Sequence, residues 1–235
     1  MKLENMTTAA GGPDARRRSY DDACGTAHGL ELIGDRWALL VLRELMLGPR
    51  RFSDLRADLP GISANVLTQR LEELEARGLV RRRKLPPPAS VQVYEATEWG
   101  LEAEPVIGAL GRWAARSPWH DPSLPLSAVS LMLSFTNMLD AQRAKGFEGT
   151  VGFRFGEERF VARVGDGAIR VRRGSESQRQ GEGQGEEQAL VAGKPTDVAA
   201  VVYGGAPVKL LDISGDKTLA KRFFKLFRLP PKAAA

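Results

Sequence analysis

At 235 residues, with a formal charge of +5 and an isoelectric point near 9.5, the chain is long enough for two domains and basic enough to suit nucleic acid as a partner. A single cysteine excludes an internal disulfide. With no secretory h-region at the N-terminus and no apolar run of the roughly eighteen residues that a membrane helix requires, a cytoplasmic chain without stable membrane insertion is expected. The charge is uneven: residues 1–120 hold 17 Lys and Arg against 16 Asp and Glu, and residues 121–235 hold 17 against 13, so local clusters must mark any nucleic-acid surface.

Residues 1–19, rich in small side chains and reaching Arg16, Arg17 and Arg18, predict a disordered tail whose basic triplet either brushes phosphate or is simply solvated. Trp37, Leu39, Leu40, Val41, Leu42, Leu45 and Leu47 then predict a mostly apolar helix, ended by Gly48 and Pro49, that suits the buried scaffold of a small domain. Ser53 is expected to cap a short helix carrying Leu55 and Leu59, terminated by Pro60 and Gly61. The next helix starts at Ser63, keeps Leu67, Leu71 and Leu74 on one face, and stops at Gly78. With that stripe inward, Asn65, Thr68, Gln69 and Glu72 face outward, and short amides and hydroxyls pair with base edges in a major groove.

Two β-prone runs, Leu79 to Leu85 and Val91 to Tyr94, flank Pro86, Pro87 and Pro88 and predict a hairpin. Its adjacent cations Arg81, Arg82, Arg83 and Lys84 suit a phosphate backbone. Each feature has a plainer reading, a polar surface helix or an edge strand guarded by charge. In helix-turn-helix order they point to duplex DNA, with the first helix crossing the backbone and the second entering the groove.

The strings Ile33-Gly34-Asp35-Arg36-Trp37, Leu42-Arg43-Glu44-Leu45, Arg51-Phe52-Ser53-Asp54-Leu55, Gly61-Ile62-Ser63, Leu67-Thr68-Gln69-Arg70-Leu71, Leu74-Glu75 and Gly78-Leu79-Val80 accompany Cys24 before the first helix, a wing proline, Tyr94 and the Thr97/Gly100 pair. Together they make Cys24 to Trp113 resemble the winged-helix domain of HxlR-type bacterial transcription regulators. Two places depart from the family pattern: Gly25 follows the cysteine where proline is usual, and Ala96-Thr97-Glu98-Trp99-Gly100 stands where Leu-Thr-x-x-Gly is usual. Neither touches the groove-facing helix. The resemblance implies a cytosolic homodimer paired through its outer helices on an inverted promoter repeat, with half-sites about one helical turn, roughly 34 Å, apart. Base reading is assigned to Ala64, Asn65, Thr68 and Gln69, and phosphate contact to Arg50, Arg51, Ser53, Arg70, Arg81, Arg82, Arg83 and Lys84.

A helix predicted over Glu98 to Arg116 closes a winged-helix domain spanning 20–117, and the Pro- and Ser-rich stretch 118–126 reads as a stiff linker. Beyond it, Val129, Leu131, Met132, Leu133, Phe135, Met138 and Leu139 predict an apolar helix closing near Gly146. Strands at 150–155, 159–164 and 168–172, turned at Gly156 and Gly167, predict an antiparallel meander. The Gly/Ser/Gln/Glu stretch 174–188 cannot form a core and is expected to be a mobile loop. A short strand at Leu190 and Val191, a helix from Thr196 to Tyr203, a strand from Leu210 to Ile213 and a helix from Lys217 to Phe227 complete the pattern. Gly193, Pro195, Thr196 and Asp197, with Ile213-Ser214-Gly215-Asp216, make 127–229 resemble the sterol-carrier-protein fold. The expected class is therefore α+β, a winged helix-turn-helix followed by a small sterol-carrier-like domain.

That second resemblance implies a site for an apolar small molecule, with Leu131, Phe135, Met138, Phe223, Phe224 and Phe227 as candidate lining; ordinary core is the competing reading. Lys221, Arg222, Lys225 and Arg228 beside those phenylalanines make an amphipathic basic tail, suited to a membrane surface, an acidic ligand or plain solvent. Cys24 is a candidate redox thiol, disfavoured as thiolate by Asp21 and Asp22 and favoured by His28, against the alternative of a small buried hydrophobe. His28 and His120 are too few for a metal site, and no nucleophile–base pair, phosphate loop or paired catalytic carboxylates occur, so no enzyme and no cofactor are expected. Two functional classes remain: a DNA-binding regulator with an effector or purely structural second domain, or an apolar-ligand carrier whose winged helix makes protein contacts.

Overall fold

The structure, a computed structural model, describes residues 19–87, 90–174 and 187–234. The expected N-terminal tail, 1–18, and most of the expected polar loop, 175–186, lie outside the described residues. Five short helices and a hairpin build the first region: α1 (Gly25–Ile33), α2 (Ala38–Leu45), α3 (Phe52–Asp58), α4 (Ala64–Ala76), β1 (Val80–Lys84), β2 (Gln92–Ala96) and α5 (Glu98–Leu101). Helix α6 (Glu104–Ala114) closes it. Helix α2 is the apolar centre, with Val41, Leu42 and Leu45 buried against Leu67, Leu71 and Leu74 of α4. Its entry is tight: Trp37 adopts φ 78°, a left-handed conformation that a bulky residue rarely takes. Asp35 pins this turn by receiving Arg70 at 3.0 Å from the inner side of α4 and Arg77 at 3.3 Å from the C-cap of that helix.

Two local expectations are corrected here. Ser53 does not cap α3; the N-cap is Arg51, and the Ser53 hydroxyl instead donates to Asp54 at 3.2 Å. The helix expected over Glu98 to Arg116 is two helices broken at Glu102 and Ala103. At the base of the hairpin α5 packs closely: a Cβ on Gly100 would stand 2.0 Å from the Leu79 carbonyl oxygen.

The second region contains α7 (Ala128–Met138), α8 (Ala141–Ala144), β3 (Gly149–Phe155), β4 (Glu158–Gly165), β5 (Ala168–Arg173), β6 (Ala189–Ala192), α9 (Pro195–Tyr203), β7 (Asp212–Gly215) and α10 (Lys217–Phe224). The single helix expected up to Gly146 is interrupted at Leu139, after which the Asp140 carboxylate caps α8. The meander holds for β3, β4 and β5, but the sheet is mixed: its order is β5-β4-β3-β6-β7, and β6 pairs parallel to β3 after a crossover. The strand expected at Leu210 starts later, at Asp212, because Val208–Leu210 form a 3-10 turn. Helix α10 stops at Phe224, and Phe227 forms an isolated bridge to Leu139 instead of continuing it.

Phe135 of α7, Phe153 of β3 and Phe223 of α10 meet at ring separations of 5.5 to 5.8 Å and anchor the helices on one face of the sheet. Most of the buried apolar side chains of both regions belong to one contiguous cluster. Helix α6 lies directly against α7, where a Cβ on Gly108 would stand 2.2 Å from the Asn137 side-chain oxygen. The C-terminal residues strap back onto this junction, with Lys232 Nζ donating to the carbonyls of Ala115, Ser117 and His120 at 2.9 to 3.3 Å.

Candidate nucleic-acid interface

Helix α4 is built as its pattern predicts. The Ser63 hydroxyl accepts the Val66 amide at 3.3 Å, Leu67, Leu71 and Leu74 are buried, and Asn65, Thr68, Gln69 and Glu72 are exposed. Ala64 is half-buried in the first turn. Gln69 donates to Glu73 at 3.1 Å along the helix, a contact a base edge would have to displace.

The hairpin register sets Arg81 opposite Glu95, Arg82 opposite Tyr94 and Lys84 opposite Gln92. Arg81 and Arg83 project to one side and both reach Glu95 at 2.6 Å. Burial alone would raise the Glu95 carboxyl, but the hydrogen bonds from Arg83 and Arg81 hold it below its ordinary value. Arg82 projects to the other side, donates to Glu75 at 2.7 Å and lies over the Tyr94 ring at 5.8 Å. Its hydrogen bond lowers the Glu75 carboxyl and raises the Arg82 guanidinium. Two carboxylates thus hold three of the four hairpin cations in defined positions on an exposed strand. Lys84 and Arg51 are exposed and carry no ion pair among the described residues. Ser53 is exposed in the first turn of α3.

Two expected phosphate contacts are placed elsewhere. Arg50 is only 7% exposed and is clamped between Asp58 and Glu158, so its guanidinium joins the two regions and does not face solvent. Arg173 shares Glu158 and donates to the Leu47 carbonyl at 3.3 Å. Burial lowers the Arg173 guanidinium and would lower that of Arg50, which its two carboxylates raise instead. Arg70, 8% exposed, lies on the inner face of α4 against Asp35 and Glu73. Sequence reading also missed Glu44, fully buried, whose Oε1 accepts from Arg43 at 2.6 Å and from the Ser127 hydroxyl at 2.8 Å across the regional boundary.

The candidate ligand lining is also relocated. Leu131, Phe135, Phe223, Phe224 and Phe227 are buried in the packed aromatic core, with Phe135 and Phe227 stacked at 4.6 Å. Of the six expected residues, Met138 lines a cleft between the two regions, on the side of α7 that carries Leu133 and Ser134. Cys24 is exposed, not buried, at the N-cap of α1. The nearby Thr26 and Ala27 amides at the start of α1 draw its thiol below the ordinary value, whereas His28 is engaged by Glu31 at 3.1 Å. Among the described residues no group of three or more His, Cys, Asp or Glu could hold a metal ion, and no helix is long and apolar enough to cross a membrane.

A family model described as HxlR-like helix-turn-helix matches residues 32–121. The chain is 36% identical over 94 residues to the uncharacterized HTH-type transcriptional regulator YvaP of Bacillus subtilis (strain 168), a match covering 40% of this chain and 85% of that protein. It is 40% identical over 94 residues to YkvN, another uncharacterized HTH-type transcriptional regulator of the same strain, covering 39% of this chain and 77% of that protein. Among solved structures, the redox regulator HypR in its oxidized form is 31% identical, with 39% of this chain and 94% of that chain covered and a TM-score of 0.36.

Proposed function

Because this chain belongs to the HxlR-like helix-turn-helix family and is a transcription regulator of that type, we propose that it binds promoter DNA as a homodimer, with α4 in the major groove and the hairpin on the flanking backbone. The observation that carries this reading is the exposed polar row Asn65, Thr68 and Gln69 on α4 beside a hairpin presenting Arg81, Arg82, Arg83 and Lys84 on its exposed strand. In this reading Ala64, Asn65, Thr68 and Gln69 read bases; Arg51, Ser53, Arg81, Arg82, Arg83 and Lys84 hold phosphates; and Arg50 and Arg70 position the elements from within.

Dimer formation is supported by the outer face of α6, where Val106, Leu110 and Trp113 are 52%, 45% and 72% exposed, together with Leu30 of α1 at 50%. A two-fold axis there gives paired reading helices and hence an inverted repeat. The second region, a mixed five-stranded sheet with α7 and α10 on one face, fits a sterol-carrier-like architecture, and we assign it the modulation of the dimer. Cys24 carries a second role in this proposal, since an exposed thiol drawn toward its thiolate at a helix start is placed for oxidation.

Selection of bound duplexes from a random pool tests the reading. It predicts enrichment of an inverted repeat with half-site centres about one helical turn apart. Recovery of unenriched sequence, or of a single asymmetric site, would overturn the proposed mode.

A further inference from the structure

Between the two regions lies a cleft of about 630 Å³, within the size range of pockets that hold small organic ligands. Leu40 of α2, Ile107 of α6, Leu133 and Met138 of α7, Ala200 of α9 and Leu229, just before the C-terminal strap, line it. This is the face of α7 turned away from the sheet, so the cleft is separate from the aromatic core. Its surface is mostly apolar, with Arg43, His120, Asp121 and Asn137 among its polar side chains, and it includes one hydrogen-bonded pair, Ser134 and Tyr203.

The protons of that pair can be assigned. The Ser134 hydroxyl lies 2.6 Å from the Leu131 carbonyl, which can only accept, so Ser134 spends its one proton there. Ser134 Oγ and the Tyr203 hydroxyl are 2.8 Å apart, and the remaining proton between them belongs to the phenol. Burial raises the Tyr203 phenol far above its ordinary range, so that proton is retained. Both donors are therefore used within the protein, while the phenolic oxygen keeps acceptor capacity toward the cleft. A ligand that met this oxygen with an acceptor of its own would have that acceptor left unpaired on burial, which is costly.

The geometry points to the interregional cleft as a binding site for a neutral apolar molecule carrying one hydrogen-bond donor, a hydroxyl or N–H, directed at Tyr203. The chain's own stretches 1–18 and 175–186, which are rich in charged and small polar residues, are poor occupants of such a lining. Because Leu40 belongs to the helix behind α4 and Ile107 to the proposed dimer helix, an occupant braces the DNA-binding region against the second region. The inference deepens the regulator reading and rests on it only for this consequence; a ligand alters DNA affinity to the extent that it favours one arrangement of the two regions.

Calorimetric titration of the full chain with 1-decanol and with decyl methyl ether, in the absence of DNA, tests it. The alcohol and the ether match in apolar tail and differ in the donor. The alcohol is expected to bind about tenfold more tightly, the worth of one satisfied hydrogen bond. Tyr203→Phe removes the acceptor and should make the two ligands equal. Ser134→Ala releases the phenolic proton toward the cleft, so the ether should gain affinity relative to the alcohol; Ala200→Trp fills the cleft and should abolish both. Thermal melts establish that each variant is folded. Equal binding of both ligands to the unaltered chain, binding of neither, unchanged binding to Ala200→Trp, or an unchanged preference in Ser134→Ala would each overturn the assignment. Since no DNA is present, failure of DNA recognition leaves this result standing, and failure here leaves DNA recognition standing.

Discussion

Replacing Arg50 with leucine separates a positioning role from a phosphate contact. The guanidinium is 7% exposed and joins Asp58 of α3 to Glu158 of β4, across the boundary between the regions. Its removal leaves the two carboxylates unequal. Glu158 retains Arg173, whereas Asp58 is left without its cation in a setting where burial already raises its carboxyl. Breaking a buried pair from one side costs about 3–5 kcal/mol, and the surviving Arg173–Glu158 contact places Arg50→Leu near the lower end, about 3 kcal/mol. In urea unfolding at 25 °C this appears as a midpoint lowered by about 1 M or more at unchanged slope. The accompanying DNA experiment is an affinity titration against salt below the unfolding range: Arg50→Leu should leave the slope unchanged, and Arg51→Ala, on the exposed side, should reduce it by about one unit. A stability loss below about 1 kcal/mol, or a reduced salt slope in Arg50→Leu, would refute the reasoning.

Gln69→Ala is expected to relax sequence preference at one position by about 1–3 kcal/mol, whereas Lys84→Ala should weaken binding evenly across sequences and reduce the salt slope by about one unit; equal loss of specificity from both would remove the division between base and backbone contacts. Burial, against the pull of Arg43 and Ser127, holds the Glu44 carboxyl above its usual range. A carboxyl raised in the folded state keeps its proton longer folded than unfolded, so stability falls as pH rises from the unfolded value, about 4.3, through the raised one. Glu44→Gln should flatten that fall in thermal melts across this window, and an unaltered pH profile would contradict the assignment. Trp113→Asp places a charge on the apolar face of α6 and should lower the sedimentation mass from dimer to monomer; an unchanged mass would move the dimer contact elsewhere. The rate of Cys24 alkylation against pH should have its midpoint below that of a free thiol, about 8.5, and a midpoint at or above that value would remove the thiol from a sensing role.

The fold was legible where local pattern decides it. Leu67, Leu71 and Leu74 at helical spacing, with Ser63 in front, define α4 because burial of one stripe and one satisfied amide suffice to do so. The alternation in β3 and β4 likewise defines two antiparallel strands. The parallel crossover to β6 was not legible, since strand order is decided by pairings distant in sequence. Among the site residues, Arg70 carried a readable signal: it falls three residues after Leu67 and four before Leu74, on the buried stripe. Arg50 carried none, because a cation facing phosphate and one facing a carboxylate 108 residues away look alike in sequence. Helix α7 was ambiguous for another reason. It is apolar on two sides, so periodicity could not distinguish Leu131 and Phe135, which meet the sheet, from Leu133 and Met138, which meet the cleft.

The central claim is tested most directly by fluorescence anisotropy of the purified chain on duplex DNA from its own upstream region, at several salt concentrations and with random duplex as competitor. The account predicts tight, competitor-resistant binding whose affinity falls steeply with salt, as several exposed hairpin cations release counterions. Weak binding that is indifferent to sequence would contradict it and shift the working part of the molecule to the second region and its cleft.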